Sequence, residues 1–308
     1  MKRIMIYILA ALPLLLIVAL WWLYTPDKPR AALEARYAAA PSQFVEAAGV
    51  RLHIRDTGPR EAPAILLLHG FGASLHTWDD WARELETTHR VIRFDIPGFG
   101  LTGPDPSGEY TEARSQAVIL ALMQRLGVQR AAVIGSSMGG RIAWRFAAAH
   151  AERVTKLVLM APDGFASPGL DYNRPPRVPM LMRVLPYTLP ESMLRGSLTP
   201  AYGDPNMVTQ PLFERYRDMM LAPGVRQAIV DRMGQHVLLP PEPILATIRM
   251  PVLLLWGAKD RMVPVTNAQD YLRALPNARL VTFPELGHIP MEEAPAETAA
   301  AVRAFLAE

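Results

Sequence analysis

The stretch 131–150, AAVIGSSMGGRIAWRFAAAH, constrains the fold more than any other part of the chain. Gly135, Ser137 and Gly139 stand where a Val/Ile-rich run meets an Ala-rich helical pattern. A turn that sharp needs glycine on both sides, and it leaves the Ser137 hydroxyl exposed at the edge of a sheet. The same alternation recurs along the chain. Apolar runs at 50–56, 64–70, 90–95, 131–136, 154–161, 252–257 and 278–283 read as strands, most of them nearly continuous in Leu, Ile and Val. Strands covered by helices on both faces have this composition. Helical patterns at 112–126, 139–149, 265–275 and 294–306 lie between or after them. The expected architecture is an open, mostly parallel central sheet flanked by helices.

One region breaks the rhythm. Between 164 and 248 there is no convincing strand, while prolines recur between short helical patterns such as FERYRDMML. An insertion of this size after a sheet strand is expected to be a helical cap over the edge where sites form in open α/β sheets. It holds Met180, Met182, Met193, Met207, Met219, Met220 and Met233. Such side chains either fill an adaptable core or line a deformable apolar pocket. The resulting division is an N-terminal segment at 1–26, a linker at 27–43, a core at 44–163, the cap at 164–248 and the rest of the core at 249–308.

The segment 4–24 is uncharged and apolar, follows Lys2 and Arg3, and ends in Trp21, Trp22 and Tyr24 before Pro26. As a helix it would cover ~30 Å, enough to span a bilayer. Its far end lacks a small-residue cleavage pattern, so the expectation is an uncleaved signal anchor, with a cleaved signal peptide as the alternative. Positive-inside bias then places the rest of the chain on the periplasmic or extracytoplasmic side, with the membrane as a partner. Two of the three net positive charges sit on Lys2 and Arg3, so no basic domain remains to suggest a nucleic-acid partner. The chain has no cysteine, which excludes thiol catalysis, disulfides and thiolate metal sites.

Five motifs, HGFG at 69–72, DIPGFG at 95–100, GSSMGG at 135–140, GAKDRMVP at 257–264 and GHIP at 287–290, occur in this order. Together they resemble the α/β-hydrolase fold family over roughly 44–306. The resemblance implies Ser137 as nucleophile, Asp260 as acid, His288 as base, and the backbone N–H groups of Phe71 and Met138 as an oxyanion hole. The chemistry accounts for the set: a serine hydroxyl needs an imidazole to take its proton, and the imidazole needs a carboxylate to fix its tautomer. Asp95 is a rival for the acid, although in relatives such an aspartate mostly holds its turn. His69 reads as loop-organising, and His76 as either a substrate contact or a packing residue.

The reaction expected from this pattern is ester hydrolysis by a carboxylesterase or lipase-like enzyme acting on apolar acyl substrates, with no metal and no organic cofactor. Carbon–carbon bond hydrolysis of vinylogous diketone acids is the alternative. Relatives of that kind usually carry Asn where this chain has Ser136, and Trp after the catalytic histidine, where this chain has Ile289. Arg177, Arg183, Arg215 and Arg226 in the cap are candidates for the acid's carboxylate. A non-enzymatic, membrane-tethered binding protein is the remaining reading, and the oligomeric state is open.

Overall fold

A computed structural model describes residues 21–166, 171–174 and 178–308. Eight strands form one sheet in the order β1-β2-β4-β3-β5-β6-β7-β8: Ser42–Ala47, Val50–Thr57, Ala64–Leu68, Arg90–Phe94, Ala131–Ser136, Val154–Met160, Val252–Gly257 and Ala278–Phe283, numbered in chain order. β1, β2 and β4 pair antiparallel, and all other pairs are parallel. The sheet is thus mostly parallel, as the apolar runs imply. Its parallel strands all deliver their carboxyl ends to one edge, where the loops after β3, β5, β7 and β8 meet.

Strand periodicity divides the core in two. Leu66, Leu68, Val133 and Leu254 face the side packed by α3 (Glu112–Arg125) and α4 (Met138–Ala149). Ile65, Leu67, Ile134, Leu253 and Leu255 face the other side, where α2 (Asp79–Leu85) and α11 (Pro295–Ala307) bring Trp81, Leu85, Val302 and Phe305. Trp81 Nε1 donates to Thr298 Oγ1 at 2.9 Å, which satisfies the one polar atom of that buried ring.

The β1–β2 hairpin was not legible in the sequence. Its turn places Ala48 and Gly49 both at positive φ, 51° and 75°. That is the geometry of a two-residue hairpin turn, which normally announces itself with Asn-Gly or Asp-Gly. Alanine at the first position removes the signal.

Among the described residues of 164–248 there are helices and turns but no strand. They include α5 (Glu191–Leu198), α6 (Gln210–Met220), α7 (Val225–Gln235) and α8 (Glu242–Leu245). The segment before the sheet, expected as a linker, is bound to this cap. Helix α1 (Arg30–Tyr37) and the residues before it supply Lys28, Arg36 and Tyr37 as donors to the buried carboxylate of Asp218 on α6. In exchange Arg226 on α7 donates to Asp27 and to the Thr25 carbonyl, each at 2.7 Å.

The expected anchor requires correction. Among the described residues no helix is long and apolar enough to cross a membrane. Apart from Trp21 to Tyr24, the expected span lies outside the described residues. The signal anchor, and with it the membrane as partner and the extracytoplasmic placement, thus find no support among the described residues.

Candidate active site

Ser137 stands between β5 and α4 with φ 51° and ψ −119°, a left-handed conformation that costs a serine of the order of 1–3 kcal/mol. The surrounding backbone enforces it. The Ser137 N–H donates to the Met160 carbonyl at 2.9 Å, and the Ser137 carbonyl accepts from the N–H groups of Arg141 (3.0 Å) and Asp163 (3.2 Å). Glycine at 139 is a matter of space: a Cβ there would overlap the Leu68 carbonyl and come within 2.5 Å of the His69 carbonyl. Nucleophile helix and neighbouring strand end approach closely only because that side chain is missing.

Asp260, on the loop after β7, and His288, on the loop after β8, are brought together. His288 Nδ1 donates to Asp260 Oδ2 at 2.7 Å, while Asp260 Oδ1 accepts the N–H groups of Met262 (2.8 Å) and Val263 (2.9 Å). Both side chains are buried. The carboxylate is thereby fully engaged, and the bond at Nδ1 leaves Nε2 as the basic nitrogen. Ser137 and His288 line the same cavity of about 380 Å³.

Of the two amides expected to face a developing oxyanion, Met138 opens α4, so its N–H precedes the helix's own hydrogen-bond ladder. Phe71 sits on the rim of the same cavity and is half exposed.

Asp95 is spent elsewhere. It accepts Leu75 N–H and Leu101 N–H, each at 2.7 Å, and His53 Nδ1–H at 2.8 Å. Burial works to raise its carboxyl, but His53, with His76 and His69 further off, holds it well below the usual carboxylate range. The aspartate clamps the loop that ends β4. His69 is likewise structural: Nδ1 donates to the Gly70 carbonyl (2.8 Å) and Nε2 accepts Ile96 N–H (3.0 Å). Burial keeps it neutral by lowering its pKa.

His76 does not line the cavity; it packs edge-on to Tyr37 with ring centroids 5.8 Å apart. Burial depresses its pKa to about 4, against the partly offsetting carboxylates of Asp95 and Asp79. Below about pH 6.5 the unfolded chain therefore binds a proton that the folded chain refuses. Stability falls as pH drops from about 6.5 towards 4, by about 3 kcal/mol at the lower end for this residue. Thermal melts across that window check this. His76→Gln flattens the slope, and an unchanged slope would refute the assignment.

The cavity wall is almost wholly apolar. The cap contributes Met182, Leu185, Met193, Leu194, Leu198 and Met220, so three of its methionines line the pocket. Met219 is buried in the core, whereas Met180 and Met207 are exposed. No described cap arginine lines the cavity. Arg177 lies outside the described residues, Arg183 is exposed, Arg215 is paired to Glu292 and Arg226 to Asp27.

Asp163 and Phe165 shape the turn after β6. Asp163 pairs with the buried guanidinium of Arg141 at 3.1 Å, and its carbonyl accepts Tyr271 O–H at 2.9 Å. Phe165 packs edge-on to Tyr271, with ring centroids 4.8 Å apart. Burial opposes the charge on Arg141, but Asp163 and Glu112 outweigh it and raise its pKa above the ordinary arginine value. No local pattern in the sequence reveals this network, because Glu112, Asp163 and His236, whose Nε2 lies 2.6 Å from the Arg141 guanidinium, stand 29, 22 and 95 positions from Arg141.

The family model for the α/β-hydrolase fold matches residues 63–295, which contain every one of these site residues. The chain belongs to the α/β-hydrolase family. Within it, a 2-hydroxy-6-oxononadienedioate/2-hydroxy-6-oxononatrienedioate hydrolase of Cupriavidus pinatubonensis is 29% identical over 84% of this chain and 93% of its own length. A meta-cleavage product hydrolase from Pseudomonas fluorescens IP01 has a solved structure that is 25% identical, with a TM-score of 0.73, over 86% of this chain and 97% of that one. A solved membrane phospholipase A, described as a bacterial virulence factor, is 30% identical with a TM-score of 0.74, over 99% of this chain and 98% of that one. Hydrolases of 2-hydroxy-6-oxo acids recur among the relatives, from Pseudomonas putida, Paraburkholderia phymatum, Burkholderia cepacia and Comamonas testosteroni. They overturn the expectation of a carboxylesterase or lipase-like ester hydrolase and favour the carbon–carbon alternative.

Proposed function

We propose that this family member hydrolyses a carbon–carbon bond beside a carbonyl in vinylogous diketone acids, using Ser137 as nucleophile. The observation that carries the reading is the recurrence of 2-hydroxy-6-oxo acid hydrolases among relatives spanning most of the chain. The geometry is compatible with the chemistry. Ser137 Oγ attacks the carbonyl carbon while its proton passes to His288 Nε2, and the oxyanion lies toward the Phe71 and Met138 N–H groups. The carbon–carbon bond then breaks, its electron pair leaves on the vinylogous fragment, and that carbon takes the proton from His288. Water, deprotonated by the same imidazole, releases the acid from Ser137. Asp260 stabilises the imidazolium in both halves.

The apolar lining among the described residues points to substrates whose apolar substituent supplies most of the binding. The test is turnover of such a diketone acid, followed by loss of its conjugated absorbance, beside p-nitrophenyl esters and a glycerophospholipid. Rapid diketone cleavage that falls by at least about 10³-fold in Ser137→Ala is expected. Turnover of the esters or the phospholipid with none of the diketone would overturn the reading.

A further inference from the structure

Two residues that follow His288 reach away from the core into the cap. Glu293 divides its carboxylate: Oε1 accepts the N–H of Gly287, immediately before His288, at 2.8 Å, and Oε2 accepts the N–H of Gly203, in the cap, at 2.7 Å. Its neighbour Glu292 is almost fully enclosed and accepts the hydroxyls of Tyr202, Tyr216 (3.0 Å) and Thr77 (3.1 Å), with the Arg215 guanidinium as counter-charge. The backbone completes the seam, because the His288 N–H donates to the Ala201 carbonyl at 2.7 Å. Three consecutive cap residues, 201–203, are thus tied to the turn that carries His288. The approach is too close for side chains: a Cβ on Gly287 would come within 2.5 Å of the Gly203 nitrogen.

We infer that Glu293, seconded by Glu292 and Tyr202, is a positioning residue that makes the docked cap part of the support of the His288 turn. The reason is an accounting of donors. With Glu293 gone, two backbone N–H groups at a buried seam lose their acceptor, and either the turn or the cap segment must shift to find another. Asp260 fixes one ring nitrogen of His288 but not the backbone from which the ring projects. A displacement of about 1 Å at that backbone is enough to cost about 10²-fold in rate. It follows that the cap cannot lift at 201–203 without releasing the histidine.

This inference rests on Ser137 and His288 acting as nucleophile and base, and not on which bond is cleaved. It is tested on the full chain by the rate at which a fluorophosphonate labels Ser137, measured against pH beside thermal unfolding. Glu293→Ala is expected to label about 10- to 100-fold more slowly, with its pH midpoint moved by about half a unit or more. Glu293→Gln, which keeps one acceptor oxygen, is expected to fall between it and the native chain. Tyr202→Phe removes a single hydroxyl and guards against loss of folding; about threefold slower labelling is expected. Native rates and an unmoved midpoint in folded Glu293→Ala and Tyr202→Phe would overturn the inference. So would a loss that merely follows the folded fraction. If the native chain itself labels no faster than Ser137→Ala, the underlying reading of the site fails and takes this one with it.

Discussion

Asp260→Asn is expected to lower turnover by about 10³- to 10⁴-fold while leaving the fold intact. The hydrogen bonds around this side chain dictate how an asparagine would sit. One oxygen accepts two backbone N–H groups, from Met262 and Val263, so the carbonyl of an asparagine must take that place. Its amide nitrogen then faces His288 Nδ1, which must become an acceptor. The imidazole is driven to the tautomer that carries its proton on Nε2, where it can no longer accept one from Ser137. The loss therefore comes from the proton's location and not from displaced atoms. Comparing kcat, fluorophosphonate labelling and thermal midpoint for the variant checks this. An asparagine enzyme within tenfold of native would show that Asp260 is not the partner that matters.

Gly139→Ala is expected to destabilise the chain by at least about 3 kcal/mol, or to prevent accumulation of folded protein. The added Cβ meets the Leu68 and His69 carbonyls, which belong to β3 and its following loop and cannot rotate away. Relief would require α4 to move off the sheet, carrying Ser137 with it. Gly196→Ala is the matched control. It lies within α5 with nothing in reach of the added carbon, so it gains up to about 1 kcal/mol from helix propensity. Chemical denaturation of both variants decides the matter, and a Gly139→Ala chain as stable as native would mean that the helix and strand are not in rigid contact.

Aspartates and histidines show how far the sequence carries. Asp95 and Asp260 each follow a strand of the sheet, and Asp260 rather than Asp95 was favoured only through resemblance. What separates them is where the loops travel: Asp95, after β4, is taken up by the N–H groups of Leu101 in its own loop and Leu75 after β3, and by His53, whereas the loop after β7 meets His288. No local pattern contains that information. The same holds for the cap. Its helices could be expected from proline spacing and short amphipathic runs, but not its attachments, since Glu292 is paired with Arg215 and Tyr202 across 77 and 90 residues.

The sequence by itself determined the parallel sheet, the turn at Ser137 and the presence of a helical insertion. These depend on local physics: strand and helix periods, the two glycines beside Ser137 whose missing side chains allow close approach, and continuous apolar runs that are stable only when covered on both sides. Only the tertiary structure decided which carboxylate meets the histidine, which methionines face the cavity, that no described arginine does, and that the cap grips the His288 turn. Each of those depends on distances between residues far apart in the chain. Such distances are set by the packing of whole elements, and packing is a property of the completed core rather than of any segment within it.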